Sequence, residues 1–205
     1  MAEILDLSMS IQNGMSYFPG DPQPSIEQFK RVKEDVFALK RIVLGTHSGT
    51  HIDAPAHVVE SGSSVDELGP LCASGTALVI RAPVSGSQLV AQLNEGECGA
   101  ADVLLLYTSG NRYWEKDWSP DRTPRISADV AKRLVRHPYR AIGIDSPSIG
   151  DAEVHKILLG SGKVIIENLT DNLGGLIGKR FRLLCVPLRV VKGDGSPVRA
   201  LAILD

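Results

Sequence analysis

Short apolar runs separated by turn residues set the rhythm of this chain. "TALVIRA" (76–82), "DVLLLYT" (102–108), "AIGIDS" (141–146), "KVIIENL" (163–169) and "FRLLCVP" (181–187) have the length and branching of buried strands. "EILDLS" (3–8) reads as a first strand, and "NGMSYFPGDPQP" (13–24) is a loop by its glycine, proline, asparagine and aspartate. Between Ile26 and Gly45 apolar residues alternate, which predicts two strands joined near Glu34 and Asp35. "VKGDGSPVRALAIL" (191–204) predicts a hairpin turn feeding a last strand.

Two segments carry helical periodicity instead. In "RISADVAKRLVRHP" (125–138), Ile126, Val130 and Leu134 recur every fourth residue, Ser127 is a candidate N-cap, and Pro138 forbids continuation. "GDAEVHKILLGSG" (150–162) places Val154, Ile157 and Leu158 on one face, with Asp151 at its start and glycine at its end. With no repeat, low-complexity tract or linker, this mixed pattern predicts one α/β domain over 1–205.

Composition narrows the function classes. A net charge of −2 without a basic run argues against nucleic acid or an anionic membrane as partner. No apolar stretch nears the roughly 20 residues of a membrane span, and the N-terminus lacks the charged and apolar regions of a secretion signal. Cys72, Cys98 and Cys185 are far apart and free of CxxC spacing, as expected of buried thiols in a reducing, cytoplasmic compartment.

The chemistry concentrates in "THSGTHIDAPAH" (46–57), which holds three of the five histidines. His47, His51, Asp53 and His57 all occupy odd positions, so a strand would put them on one face. A straight strand at ~3.3 Å per residue would spread them over about 33 Å, whereas one ion needs its ligands at about 2.0–2.2 Å. The segment must therefore bend, and Gly49 and Pro55 are where it can. Imidazole plus carboxylate without thiolate suits zinc, manganese or ferrous iron; the bland reading is a hydrogen-bonded polar turn. Farther along, Glu167 follows a buried run, where an unpaired carboxylate is costly, and His155 lies on the helix before it. By themselves these read as a strand-end glutamate meeting solvent and a helix-surface histidine.

"HSGTHIDAPAH" resembles the H-x-G-T-H-x-D-x-P-x-H signature of the cyclase-like metal-dependent hydrolases, a family that includes bacterial kynurenine formamidase and isatin hydrolase. "YFPGDP", "AIGIDSPSI", "IIENLT" and "VPLRVVKGDGSPVRALAIL" agree in order, so the resemblance spans nearly the whole chain. It implies a mixed α/β domain with a central β-barrel-like layer and flanking helices, assembled as a dimer or higher homo-oligomer. It also implies one or two divalent ions, zinc or manganese. His47, His51 and Asp53 would hold the first, Asp53 and Glu167 would bridge to a second, and His155 would complete that one. His57 would be the acid/base, with a third histidine ligand as its other reading. The implied activity is hydrolysis of a formamide or cyclic amide of an aromatic small molecule, N-formylkynurenine foremost, with isatin, another cyclic imide or a lactone as alternatives.

Phe18 and Tyr17 are candidate substrate contacts, and the Thr108–Trp118 loop a candidate pocket wall or subunit contact. Kynurenine formamidases of this type carry tryptophan before P-G-D; Phe18 can stack but lacks the indole N–H. Asp145 could orient a metal-bound histidine or make an ordinary strand-end hydrogen bond. Two readings come from other classes. A two-histidine, one-carboxylate triad would suit a non-haem iron oxygenase, but it leaves His47 and Glu167 without work. A metal-binding module without turnover leaves His57 unexplained.

Overall fold

The computed structural model describes residues 2–82, 101–113 and 123–204. Ten strands are seen among them. β1 (Glu3–Asp6), β4 (His51–Asp53), β5 (Gly75–Arg81), β6 (Val103–Tyr107), β7 (Ala141–Ile144), β8 (Val164–Glu167), β9 (Arg180–Pro187) and β10 (Gly195–Leu204) form one sheet. Its order is β1-β10-β4-β8-β7-β6-β5-β9, and β9 also pairs with β10, which closes seven of the strands into a barrel with β1 added at the rim. The run β5-β6-β7-β8 is parallel; every other pairing in the sheet is antiparallel. Closure leaves the barrel strands without a free edge.

The apolar runs fill both sides of the parallel strands, as strands covered on both faces require. Inside the barrel, Val103, Leu105, Ala141, Val164 and Ile166 meet Ala77, Val79, Leu183, Cys185, Ala200 and Ala202. Gly143 belongs to this packing: a Cβ there would stand 2.5 Å from Leu105 Cδ2. Outside, Leu78, Leu104, Leu106, Ile142, Ile144 and Ile165 pack against two helices. After α1 (Val32–Asp35), these are α2 (Ala128–Leu134) and α3 (Ala152–Gly160). Ser127 and Asp151 cap them, each side chain accepting from the backbone N–H three residues on. α3 turns Val154, Leu158 and Leu159 to the barrel, and the same face carries His155.

The alternation of β4 and β8 places the chemistry. Ile52 and Ile166 point into the barrel, so His51, Asp53, Ile165 and Glu167 point out toward α3. The register sets His51 directly opposite Glu167, and facing side chains of such a pair start only ~5 Å apart. The site therefore lies on the barrel's outer wall beneath α3, where the parallel strands end.

The strand expected to double back is shorter than the spacing implied. β4 spans three residues; His47 comes from the turn before it, and His57 ends a 3₁₀ turn over Pro55–His57. Gly49 makes the first bend at φ 64°, a conformation that disfavours any Cβ, and Pro55 opens the second. The predicted pair within 26–45 is β2 (Ser25–Lys30) and β3 (Leu39–Val43), a separate two-stranded sheet joined through α1. Its Phe29, Leu39, Ile42 and Val43, and Phe37 in the connection, are all exposed. Cys72 and Cys185 are free thiols, and burial raises the pKa of both. Cys98 and residues 114–118 of the aromatic loop lie outside the described residues.

Candidate metal centre

Asp53 is the hub. It is 1% exposed, and its Oδ1 lies 2.7 Å from His47 Nδ1 and 3.2 Å from His51 Nε2. Its Oδ2 is buried and has no hydrogen-bond partner; His155 Nε2 faces it at 3.6 Å. On the other side, Glu167 Oε1 lies 3.2 Å from His155 Nε2, and Glu167 Oε2 lies 3.6 Å from His51 Nε2. His57 completes the ring of imidazoles, its centroid 4.1 Å from that of His47 and 6.0 Å from that of His155.

The outer nitrogens are committed, which decides what the inner ones can do. His51 Nδ1 faces the carbonyl of Gly49 at 2.9 Å, and His155 Nδ1 faces that of Asp151 at 2.8 Å. Carbonyls only accept, so both rings carry their proton on Nδ1 and turn a bare Nε2 inward when neutral. That is the arrangement by which backbone acceptors orient metal-bound imidazoles. The Gly49 carbonyl is itself held by Asn168 Nδ2 at 3.0 Å. Glu167 Oε1 accepts the Ile149 N–H at 2.7 Å, leaving Oε2 for the centre.

Asp194, which drew no notice in the sequence, joins from the turn before β10. Its Oδ2 lies 3.0 Å from His47 Nε2 and 3.5 Å from His57 Nδ1. By accepting from His47 Nε2 it frees Nδ1 for the centre. Gly195 beside it has to be glycine, because a Cβ there would come 2.6 Å from His47 Cε1. The only hint in the sequence was the "GDG" turn, which reads as ordinary hairpin chemistry.

Two groups of three donors have their ligand atoms within 4.8 Å of one another: His47, Asp53 and His57, and His51, Asp53 and Glu167. Asp53 belongs to both. This division differs from the one the resemblance implies, since it sets His57 beside His47 and leaves His155 at the margin of the second group. The donor set and the orphaned Oδ2 fit a divalent cation, which would satisfy that buried oxygen.

A cavity of about 420 Å³ opens onto the cluster, lined also by Phe18, Arg125 and Asn168. Phe18 is on this wall, while Tyr17, also exposed, is not among the lining residues. Asp145 serves the strand-end role: Oδ1 accepts from Thr108 N and Oγ1, and Oδ2 from Gly110 N. It touches none of the histidines through these bonds.

Without metal the cluster stores protons. Burial pushes His47 down, but its bonds to Asp53 and Asp194 outweigh this and raise it to about 9. Burial likewise opposes His155, and Glu167 and Asp53 raise it to about 9. Burial would raise Asp53, yet His47 and His51 hold it well below the usual carboxylate range. A raised folded-state pKa stabilises fully below the unfolded value and ceases to stabilise once pH passes the folded one. The two histidines therefore stabilise the metal-free chain at pH 6 and lose that effect between about 6.5 and about 9. Thermal melts of metal-stripped protein should show Tm falling across this window. Metal-loaded protein should show a smaller fall, because its ligands are already deprotonated. Equal pH slopes with and without metal would contradict the coupling.

Residues 5–151 match the family model described as "Putative cyclase". An uncharacterised protein of Methanocaldococcus jannaschii is 34% identical over 202 residues, covering 98% of this chain and 100% of the relative. Kynurenine formamidase of Salinibacter ruber is 31% identical, covering 97% and 96%. Isatin hydrolase A of Labrenzia aggregata superposes with a TM-score of 0.85 over 99% of this chain and 94% of its own, at 20% identity. The structure of a potential metal-dependent hydrolase with cyclase activity superposes at 0.80 over 100% and 99%, at 25% identity. The barrel, the cluster on its outer wall and these matches agree: the chain belongs to the cyclase family of hydrolases.

Proposed function

We propose that this chain is a metal-dependent amidohydrolase that cleaves the formamide of an aromatic small molecule, N-formylkynurenine foremost, to the free arylamine and formate. The observation that carries this is Asp53, a buried carboxylate shared by two sets of three donors and left with one unpaired oxygen. Relatives named kynurenine formamidase, about 31% identical over nearly the whole chain, support the substrate class. Isatin hydrolysis is the second reading, favoured by the shared fold.

His47, His51, Asp53, Glu167 and His155 would hold one or two ions, zinc or manganese. A divalent ion there lowers the pKa of water and polarises a neighbouring carbonyl. His57 differs from the other three histidines in access: its side chain is 32% exposed, against 16% for His47, 11% for His155 and 3% for His51. That position suits proton transfer. His57 takes a proton from the attacking water as the new C–O bond forms, and gives one to the nitrogen as the C–N bond breaks. Asp194, 3.5 Å from His57 Nδ1, can orient the ring. Phe18 on the cavity wall offers a face for the substrate's ring. The free thiols support a reducing, cytoplasmic setting, and no helix of the described residues is long and apolar enough to cross a membrane.

Metal-stripped protein re-supplied with zinc or manganese should hydrolyse N-formylkynurenine, with isatin assayed in parallel. Turnover of isatin alone would favour the second reading, and turnover of neither would remove both. His57→Ala should cut kcat by about 10²–10⁴-fold while metal content stays at the wild-type level. Loss of metal with it would make His57 a ligand instead.

We further propose a homo-oligomer, dimer or larger, formed through the β2–β3 hairpin. A lone two-stranded sheet is marginal in water, yet this one exposes Phe29 (64%) and Ile42 (57%), and Phe37 (55%) stands out from the connection between its strands. Light scattering should give a multiple of the 22.0 kDa chain mass, and Phe29→Glu with Ile42→Glu should reduce it to the monomer. A wild-type monomer at micromolar concentration would refute this.

A further inference from the structure

Among the charged side chains on the cavity wall, Arg125 has no evident structural employment. Its Nε is buried and has no hydrogen-bond partner, and none of the ion pairs among the described residues includes it. Asp21 lines the same cavity but does not form an ion pair with it. The backbone around Arg125 is nevertheless held in place. Ile126 N–H donates to Ile149 O at 2.9 Å, and Ser127 caps α2 immediately afterwards. The segment is thus tied to the loop that carries Ser148 and Gly150, which line the same cavity.

A guanidinium stays protonated at any working pH and can only donate. With a buried donor unanswered, it carries a desolvation cost that an incoming acceptor would offset. Its planar fork matches a carboxylate with two parallel hydrogen bonds. The donor cluster around Asp53 lines the same 420 Å³ space, a size suited to a small aromatic molecule.

We propose that Arg125 is the specificity-determining anchor for a carboxylate carried by the substrate away from the scissile amide. The favoured class is then an aromatic formamide whose side chain bears a carboxylate, rather than a cyclic amide without one. This rests on the hydrolase reading above and adds the substrate's charge to it. Arg125 acts by binding: it moves no proton and breaks no bond.

The test compares N-formylkynurenine with ortho-acetyl-formanilide, which keeps the reacting formamide and the aryl ketone but lacks the amino-acid end. Metal-loaded wild type, Arg125→Gln and Arg125→Lys are assayed on both. The ratio of kcat/KM for the charged over the neutral substrate should fall about 10- to 100-fold in Arg125→Gln, the range for losing a hydrogen bond to a charged group. The loss should sit mainly in KM, and Arg125→Lys should recover part of it. In parallel, calorimetry measures binding of kynurenine and ortho-aminoacetophenone, which requires no turnover. The kynurenine Kd should rise by a similar factor in Arg125→Gln, selectively over the neutral ketone. An equal loss on both members of each pair would make Arg125 a structural residue, and an unchanged ratio would make it a bystander; either overturns the proposal. If wild type hydrolyses neither substrate, the formamidase reading fails, and the binding pair alone decides for or against Arg125.

Discussion

A carboxylate with one oxygen shared by two imidazoles and the other oxygen unanswered is costly to bury in an apolar wall. Asp53 is held there because the β4–β8 register leaves it nowhere else to point. Ile52 and Ile166 must fill the barrel, and period-two alternation then forces His51, Asp53 and Glu167 to the outer face. A slip of one residue would drop the carboxylates into the core and expose the isoleucines. The hydrophobic packing of the barrel thus fixes the geometry of the candidate metal ligands, and the charges exact their cost at a position the core has already determined.

Around that hub, backbone and side-chain acceptors set the imidazoles. Gly49 O and Asp151 O take the outer protons of His51 and His155, and Asp194 takes that of His47. Three nitrogens are left facing inward. His57 stands apart in being the most exposed of the four, which separates a group suited to proton transfer from groups suited to holding charge. The same wall carries Phe18 and Arg125, so the groups proposed for substrate binding, charge recognition and proton transfer line one cavity.

Much of this was legible in the sequence because local chemistry and tertiary structure agree. Runs such as "DVLLLYT" became buried strands, Ser127 and Asp151 became N-caps, and the four-group motif converged at the bends expected of Gly49 and Pro55. What stayed hidden depended on contacts distant in the chain. Asp194 lies 147 residues from His47 and looked like a turn residue. Arg125 precedes a helix cap and gave no sign of facing a cavity. Asp145 sits at a strand end in either reading, and only its bonds to Thr108 and Gly110 assign it to the loop rather than the site. Barrel closure also depends on β9 meeting both β5 and β10, a pairing that no periodicity encodes.

The central claim is that Asp53 organises a divalent metal centre, and the most direct measurement is metal content per chain after stripping and re-supply with zinc or manganese. It is made on wild type and on Asp53→Asn, with circular dichroism confirming that both are folded. The account predicts one or two ions bound per wild-type chain and little or none in Asp53→Asn. A folded wild type that takes up no metal, or an Asp53→Asn variant that binds as well as wild type, would contradict it.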